Sequence, residues 1–298
     1  MSGGDRIKCI AIHSPGDMGH AIGRVLLQND FDVITCLDGR SSRTKQLAAS
    51  AGLRTVSTFD ELVVEADLIL SILVPSEAVR AAEDIAAALE KTQSDTLFAD
   101  CNAVSISTVK GIERTIVDSG GRFADASIIG LPPGTAKTPR LYVSGIECEP
   151  IMQLDGKGIE VKNLGEEIGQ ASGIKMCYAG LTKGSFALQY AISIAAERLG
   201  LFDALGSEFE FSQGRTFEQM QKQLPALPAK SARWVGEMEQ IAETFDAVGV
   251  PPLFHQAAAE IYRAISVSPL GEETPETIDH SRDLARTIAI ISQSKNQE

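Results

Sequence analysis

Basic residues are scarce: 27 Lys and Arg stand against 40 Asp and Glu in 298 residues, a formal net charge of -13. The positive footprint that a phosphate backbone demands is missing, so nucleic acid is not an expected partner. Long hydrophobic runs are missing too. The longest strongly apolar stretch, Leu68 to Val74, contains Ser71 and falls well short of the ~20 residues that span a bilayer, so no membrane partner is expected. The opening residues lead into Cys9-Ile10-Ala11-Ile12 without the apolar length or cleavage pattern of a signal peptide. The 5 cysteines (Cys9, Cys36, Cys101, Cys148 and Cys177) are odd in number, widely spaced and form no C-x-x-C. That pattern excludes a disulfide framework and a zinc site, and reads as buried thiols in a reducing compartment, hence a cytoplasmic location. His13, His20, His255 and His280 form no H-E-x-x-H, and no metal is expected. There is no internal repeat and no low-complexity tract.

What remains is a globular composition, 44% hydrophobic and 22% charged, on a chain long enough for two compact units. Up to about residue 165, short β-branched runs alternate with helical stretches, the signature of βαβ units around a doubly wound parallel sheet. Strands are expected at Lys8–His13, Asp32–Leu37, Leu68–Leu73, Thr96–Asp100, Arg122–Ala126 and Leu141–Ser144. Helices are expected near Gly19–Gln28, Arg43–Ala51, Ser76–Glu90 (with Ser76 as a candidate cap) and Ser105–Ser119. Beyond Glu166 the chain turns Ala-, Glu- and Leu-rich with helical periodicity. A long helix from Glu166 to Leu199, with a break expected at Gly173, precedes helices at Ser207–Leu224, Ala229–Ala247, Leu253–Ser266 and Pro275–Ile291, and a fraying tail. The fold class is therefore α/β, with a Rossmann-type unit at 1–165 and an all-helical unit at 166–298.

The first strand runs into Ser14-Pro15-Gly16-Asp17-Met18-Gly19 and then a helix, the strand–turn–helix context of a dinucleotide loop. Gly16 lets the backbone approach a pyrophosphate, Gly19 permits close packing of helix on sheet, and the helix N-terminus offers N–H groups to the anion. Ser14 stands where the fingerprint has its first Gly. The ribose-reading position falls about 20 residues on, at Leu37-Asp38-Gly39-Arg40-Ser41-Ser42-Arg43. Asp38 suits the ribose hydroxyls of NAD, whereas Arg40, Ser41 and Arg43 suit a 2′-phosphate. The two arginines outweigh the single acid, so NADP(H) is the preferred cofactor and NAD(H) the alternative. A plain turn, with Ser41 or Ser42 as an N-cap, is the competing reading.

Ser-Pro-Gly-Asp-Met-Gly, Leu73-Val74-Pro75, Asp100-Cys101-Asn102-Ala103-Val104-Ser105, the helix bearing Lys183 and Arg233-Trp234-Val235-Gly236-Glu237-Met238 occur in order. In these the chain resembles the β-hydroxyacid dehydrogenases, the superfamily of 3-hydroxyisobutyrate and 6-phosphogluconate dehydrogenases, over nearly its whole length. The resemblance implies a Rossmann domain, a helical 6-phosphogluconate dehydrogenase-like C-terminal domain contributing to a homodimer, and hydride transfer between a nicotinamide and a small-molecule substrate. It also implies that Lys183 is the acid and base at the substrate hydroxyl, because the alcohol proton must leave as hydride departs from carbon. Leu73, Val74, Pro75 and Asn102 then belong to the cofactor site, and Ser105, Ile129, Gly130, Leu131 and Ala187 to the substrate site. Capping the next helix is an equal alternative for Ser105, and Lys175 is a reserve catalytic candidate.

Two departures from that family stand out. Ala187 occupies the place where the family has Asn, and Leu131-Pro132-Pro133-Gly134 replaces a loop richer in N–H donors, since proline has none. Three functions follow as expectations. The first is an NADP(H)-dependent oxidoreductase acting on a hydroxyacid-like or phosphorylated molecule; the second is a reductase of an imine or unusual carbonyl; the third is a dinucleotide sensor without turnover. Independently of the resemblance, Phe186 to Ala196 is apolar almost all round, which favours cover by a second copy of the chain.

Overall fold

A computed structural model describes residues 6–135, 137–274 and 276–293, which fall into two compact units, Met1–Met176 and Cys177–Glu298. The tail expected to fray lies outside the described residues. In the first unit β1 (Cys9–His13), β2 (Asp32–Cys36), β3 (Arg54–Val56), β4 (Leu68–Ser71), β5 (Leu97–Asp100), β6 (Arg122–Ile129), β7 (Arg140–Ser144) and β8 (Glu160–Asn163) form one sheet in the order β3-β2-β1-β4-β5-β6-β7-β8. Between them run α1 (Asp17–Leu27), α2 (Ser42–Ala51), α3 (Phe59–Glu65), α4 (Pro75–Thr92) and α5 (Ile106–Asp118). Neighbouring residues of one strand enter different cores: Ile10 and Ile12 belong to one apolar cluster and Ala11 to another, as Leu68 and Leu70 differ from Ile69. Both faces are covered, which is why these strands read as continuous apolar runs.

The sheet is parallel except where β7 returns antiparallel to β6. The Leu-Pro-Pro-Gly connection is too short for a crossover helix, and a strand joined by such a loop can only reverse. Two strands escaped the sequence reading. β3 has three residues, and β8 (Glu-Val-Lys-Asn) is a polar edge strand, so neither offers an apolar run. α3 was missed because its seven residues give less than two turns of periodicity. Ser76 does not cap α4. That helix starts on Pro75, whose fixed φ suits the first turn, with Val74 preceding it.

In the second unit every regular element among the described residues is helical: the continuation of α6 (Gln170–Arg198), then α7 (Phe202–Gln223), α8 (Ser231–Ala247), α9 (Leu253–Ser266) and α10 (Leu284–Gln293). The expected break at Gly173 is absent, because its N–H reaches Gly169 O at 2.8 Å and the ladder continues. The irregularity lies instead within α7, where Gln213 leaves helical geometry (φ -141, ψ 36). α10 begins nine residues later than expected. Asp279 takes the N–H of Ser281 at 2.9 Å in a local turn, and Asp283 accepts from Arg286 N at 2.8 Å, the cap on which the helix opens.

Not all the thiols are buried. Cys36, Cys101 and Cys148 are, but Cys9 is half-buried and Cys177 exposed on α6; all five are free.

Candidate functional site

The nucleotide loop sits where open α/β sheets place ligands, beyond the carboxyl end of β1. Ser14 adopts a left-handed conformation (φ 72), the geometry that normally selects Gly at this point. Gly16 N–H donates to Ser14 O at 2.8 Å, which closes the turn despite the missing glycine. A Cβ on Gly19 would stand 2.8 Å from Ser14 O and 3.0 Å from Ile12 Cγ2, so only glycine lets α1 approach the strand this closely. Gly23, unremarked in the sequence, plays the same part against Leu53, at 2.8 Å. Gly16 is different: nothing lies within 4 Å of its added Cβ. It is also the N-cap of α1 and has no side chain to cap with, so the first-turn N–H groups, including those of Asp17 and Met18, lack intrahelical acceptors. Pro15 lends rigidity between the turn and the helix. These are the features an anionic pyrophosphate requires.

After β2, Arg40 N–H bonds Leu37 O at 3.2 Å in a turn whose third residue is Gly39 (φ 65), leaving Asp38 exposed. The candidates for the 2′-phosphate separate here. Ser41 caps α2, accepting from Thr44 N at 3.2 Å, and Arg43 pairs with Asp17 at 2.6 Å, tying this segment to the nucleotide loop. Arg40 is half-buried, and its Nε has no partner among the described residues. Beside it lies His13, a residue the sequence reading left without a role. Its imidazole is buried, meets Phe59 edge to face at 5.2 Å and, among the described residues, finds no hydrogen-bond partner for either nitrogen. Burial, reinforced by the Arg40 charge, pushes the His13 pKa down to about 3, so the ring is neutral. The one available signal was a polar residue closing an otherwise apolar strand.

Asn102 is committed to the protein itself. Its Oδ1 accepts from Leu73 N at 2.5 Å and its Nδ2 donates to Ser71 Oγ at 3.1 Å and to Asp100. It thereby fixes the Leu73-Val74-Pro75 segment that enters α4. Asp100 and Asp125 are register partners on β5 and β6. Burial pushes the Asp100 carboxyl up to about 7, with the Asp125 charge adding to the shift, and raises Asp125 as well. Asp125 accepts from Gly169 N at 2.9 Å, Ser172 N at 3.0 Å, Ser172 Oγ at 2.7 Å and Ser144 Oγ at 3.0 Å, so a buried carboxylate caps the start of α6. Ser105 caps α5, accepting from Thr108 N at 3.1 Å. Ile129 ends β6, Gly130 (φ 133) turns the chain against Pro139, and Leu131 is exposed. Lys175 donates to Ile128 O in the same unit.

In the second unit Lys183 lies on α6 with its side chain 14% exposed, paired with Glu237 of α8, which is 7% exposed. Glu237 also receives Arg233 Nε at 3.3 Å. The Lys183 ammonium stands 5.8 Å from the centre of the Trp234 ring, which stacks on Phe186 and meets Tyr262 edge to face. Tyr262 Oη donates to Lys183 O at 2.6 Å, which pins the helix at the lysine itself. Ala187, one turn on, is buried. Glu237 lies 54 residues from Lys183, so no spacing could have paired them.

Residues 10–150 match the family model described as the NAD binding domain of 6-phosphogluconate dehydrogenase, and residues 196–265 match a domain of unknown function (DUF1932). An uncharacterised 28.5 kDa protein of Methanothermus fervidus is 28% identical over 195 residues, 65% of this chain and 74% of that one. Among solved structures, a conserved protein of unknown function, reported as similar to 3-hydroxyacid dehydrogenases, is 25% identical with a TM-score of 0.64, covering 87% of this chain and 96% of that one. Mycobacterium tuberculosis 3-hydroxyisobutyrate dehydrogenase, solved with L-serine, is 19% identical (TM-score 0.65, 96% and 98% covered). A Streptomyces aurantiacus imine reductase is 15% identical (TM-score 0.55, 91% and 98% covered), and at these two identities the likeness is one of fold.

Proposed function

We propose that the chain is a member of the β-hydroxyacid dehydrogenase-like superfamily, a reading its NAD-binding domain match supports, and on that premise that it is an NADP(H)-dependent oxidoreductase of a hydroxyacid-like or phosphorylated small molecule, with Lys183 as general acid and base. The observation that carries the reading is the nucleotide loop: a left-handed Ser14, an open Gly16 and an uncapped α1 N-terminus at the end of β1. Asp17 and Met18 present the backbone donors, and Arg40 and Arg43 supply the positive charge that a 2′-phosphate selects. Bound NADP(H) supplies or accepts the hydride. Lys183 Nζ gives a proton to the substrate oxygen in reduction and takes it back in oxidation, while Glu237 holds the ammonium in place.

A second reading, reduction of an imine or unusual carbonyl, draws support from the substrate side. Ala187 is buried and has no hydrogen-bonding group to hold a hydroxyacid, and proline removes donors from the loop after Gly130. A sensor without turnover is the remaining alternative. The active form is a homodimer, which would cover the apolar side chains α6 leaves open, Leu181 (73% exposed) among them. Titration with both reduced cofactors tests the cofactor assignment: NADPH binds at least about tenfold tighter than NADH, since one charge-assisted contact contributes about 1.5–3 kcal/mol. Equal affinities would remove Arg40 and Arg43 from the argument.

A further inference from the structure

Around Lys183 the donors outnumber the acceptors. Lys183 and Arg233 bring two positive charges, and the carboxylate between them, Glu237, brings one negative. Glu237 is engaged from both sides, Oε2 by Lys183 and Oε1 by Arg233 Nε, so both its oxygens are already occupied. Among the described residues the terminal guanidinium nitrogens of Arg233 have no partner, and the Arg233 side chain is 46% exposed. In the same cluster the Trp234 indole N–H is buried and finds no acceptor among the described residues. One positive charge is thus left over beside a proton-donating ammonium, in a chain whose net charge is -13. The Lys–Glu pair is itself costly to bury, and a purely structural helix contact is more cheaply made with apolar side chains.

We infer that Arg233, oriented by Glu237, is the group that binds an anionic ligand next to Lys183, a small carboxylate or phosphate held by its free guanidinium edge. The guanidinium fork matches two oxygens of either anion, and the Glu237 ion pair at Nε, 3.3 Å long, leaves its outer edge open. Arg233 then supplies the anion recognition that neither Ala187 nor the Leu-Pro-Pro-Gly loop can provide. Glu237 is the positioning residue for both cations. The inference rests on the proposed function and deepens it by assigning the substrate's anionic group to one residue of the stretch 196–265.

Trp234 is the one tryptophan in the chain, so its fluorescence reports on this cluster directly. The full-length protein is titrated at constant ionic strength with succinate, inorganic phosphate and, as the neutral control, succinamide. A saturable change with succinate or phosphate and none with succinamide is expected, and whichever anion binds tighter identifies the source of the charge. Arg233→Leu weakens that binding by about tenfold or more, Arg233→Lys restores part of it, and Glu237→Gln weakens it with the fold intact by circular dichroism. No saturable response to either anion in the wild type overturns the inference without recourse to any variant, and so does unchanged affinity in folded Arg233→Leu. NADP+ binding, followed separately by calorimetry, distinguishes the two failures: its absence refutes the dinucleotide reading and leaves the anion result standing.

Discussion

At the scale of the residue, His13 gives the cleanest test of buried polarity. Its neutral ring in the folded chain titrates near 3, against 6.5 for the exposed imidazole, so the unfolded chain takes up a proton that the folded one refuses. Stability from this group is present above about 6.5 and is lost as pH falls toward 3. Asp100 acts in the opposite sense. Its carboxyl is pushed up to about 7, so the folded chain binds a proton first and gains stability as pH falls from about 7 toward 3.8. The two offset each other in the wild type, and a variant is needed to separate them. Going from pH 7.5 to 5, the wild type loses about 2 kcal/mol more than His13→Leu in urea unfolding; parallel losses would mean that the imidazole has a proton partner in the folded protein. Neither effect was legible in the sequence, because burial and missing partners are tertiary facts. Lys183 stood out as a candidate through its place in a motif that resembles a known family's. Glu237 and Arg233 were visible only as members of a matching string, and their pairing with Lys183 needed the fold.

The nucleotide loop shows how much an element can carry by itself. Strand, turn and helix were readable because each has a local signature, a β-branched run, a Pro-Gly turn and an apolar helical period, although the helix expected from Gly19 opens two residues earlier, on Asp17. What the sequence did not reveal is how the turn survives with Ser14 in place of glycine, since a left-handed conformation is a backbone property. The two glycines fail differently when replaced. Gly19→Ala drives a methyl group into Ser14 O and Ile12, and is expected to cost about 1–3 kcal/mol of stability and to weaken NADPH binding. At Gly16 an added Cβ meets nothing within 4 Å in the protein, so in Gly16→Ala stability stays within about 0.5 kcal/mol of wild type while NADPH binding weakens. Thermal melts and cofactor titrations of both variants decide; equal NADPH affinity in Gly16→Ala would remove the pyrophosphate from this loop. Elsewhere the missed elements share a cause: β3, β8 and α3 are too short or too polar for their periodicity to rise above that of a loop.

For the whole molecule, the alternation of strand and helix followed by uniform helical periodicity made the α/β architecture and its helical continuation readable, because each covered face leaves its own hydrophobic period. Association is less readable from local pattern. Leu181 and Phe211, 73% and 89% exposed, are large apolar side chains on successive helices that the described residues leave uncovered. Sedimentation at low micromolar concentration is expected to show a dimer; a folded, active species at the 31.8 kDa monomer mass would contradict it. The central claim is that this chain moves hydride and that Lys183 moves the proton. It is tested most directly by single-turnover oxidation of bound NADPH, followed at 340 nm, with a panel of carbonyls and imines offered to wild type and to Lys183→Met. At least one compound should oxidise NADPH in the wild type, and Lys183→Met should be at least ~100-fold slower with nearly unchanged NADPH affinity. Tight NADPH binding with no oxidation by any compound, or a Lys183→Met variant as fast as wild type, would contradict the account.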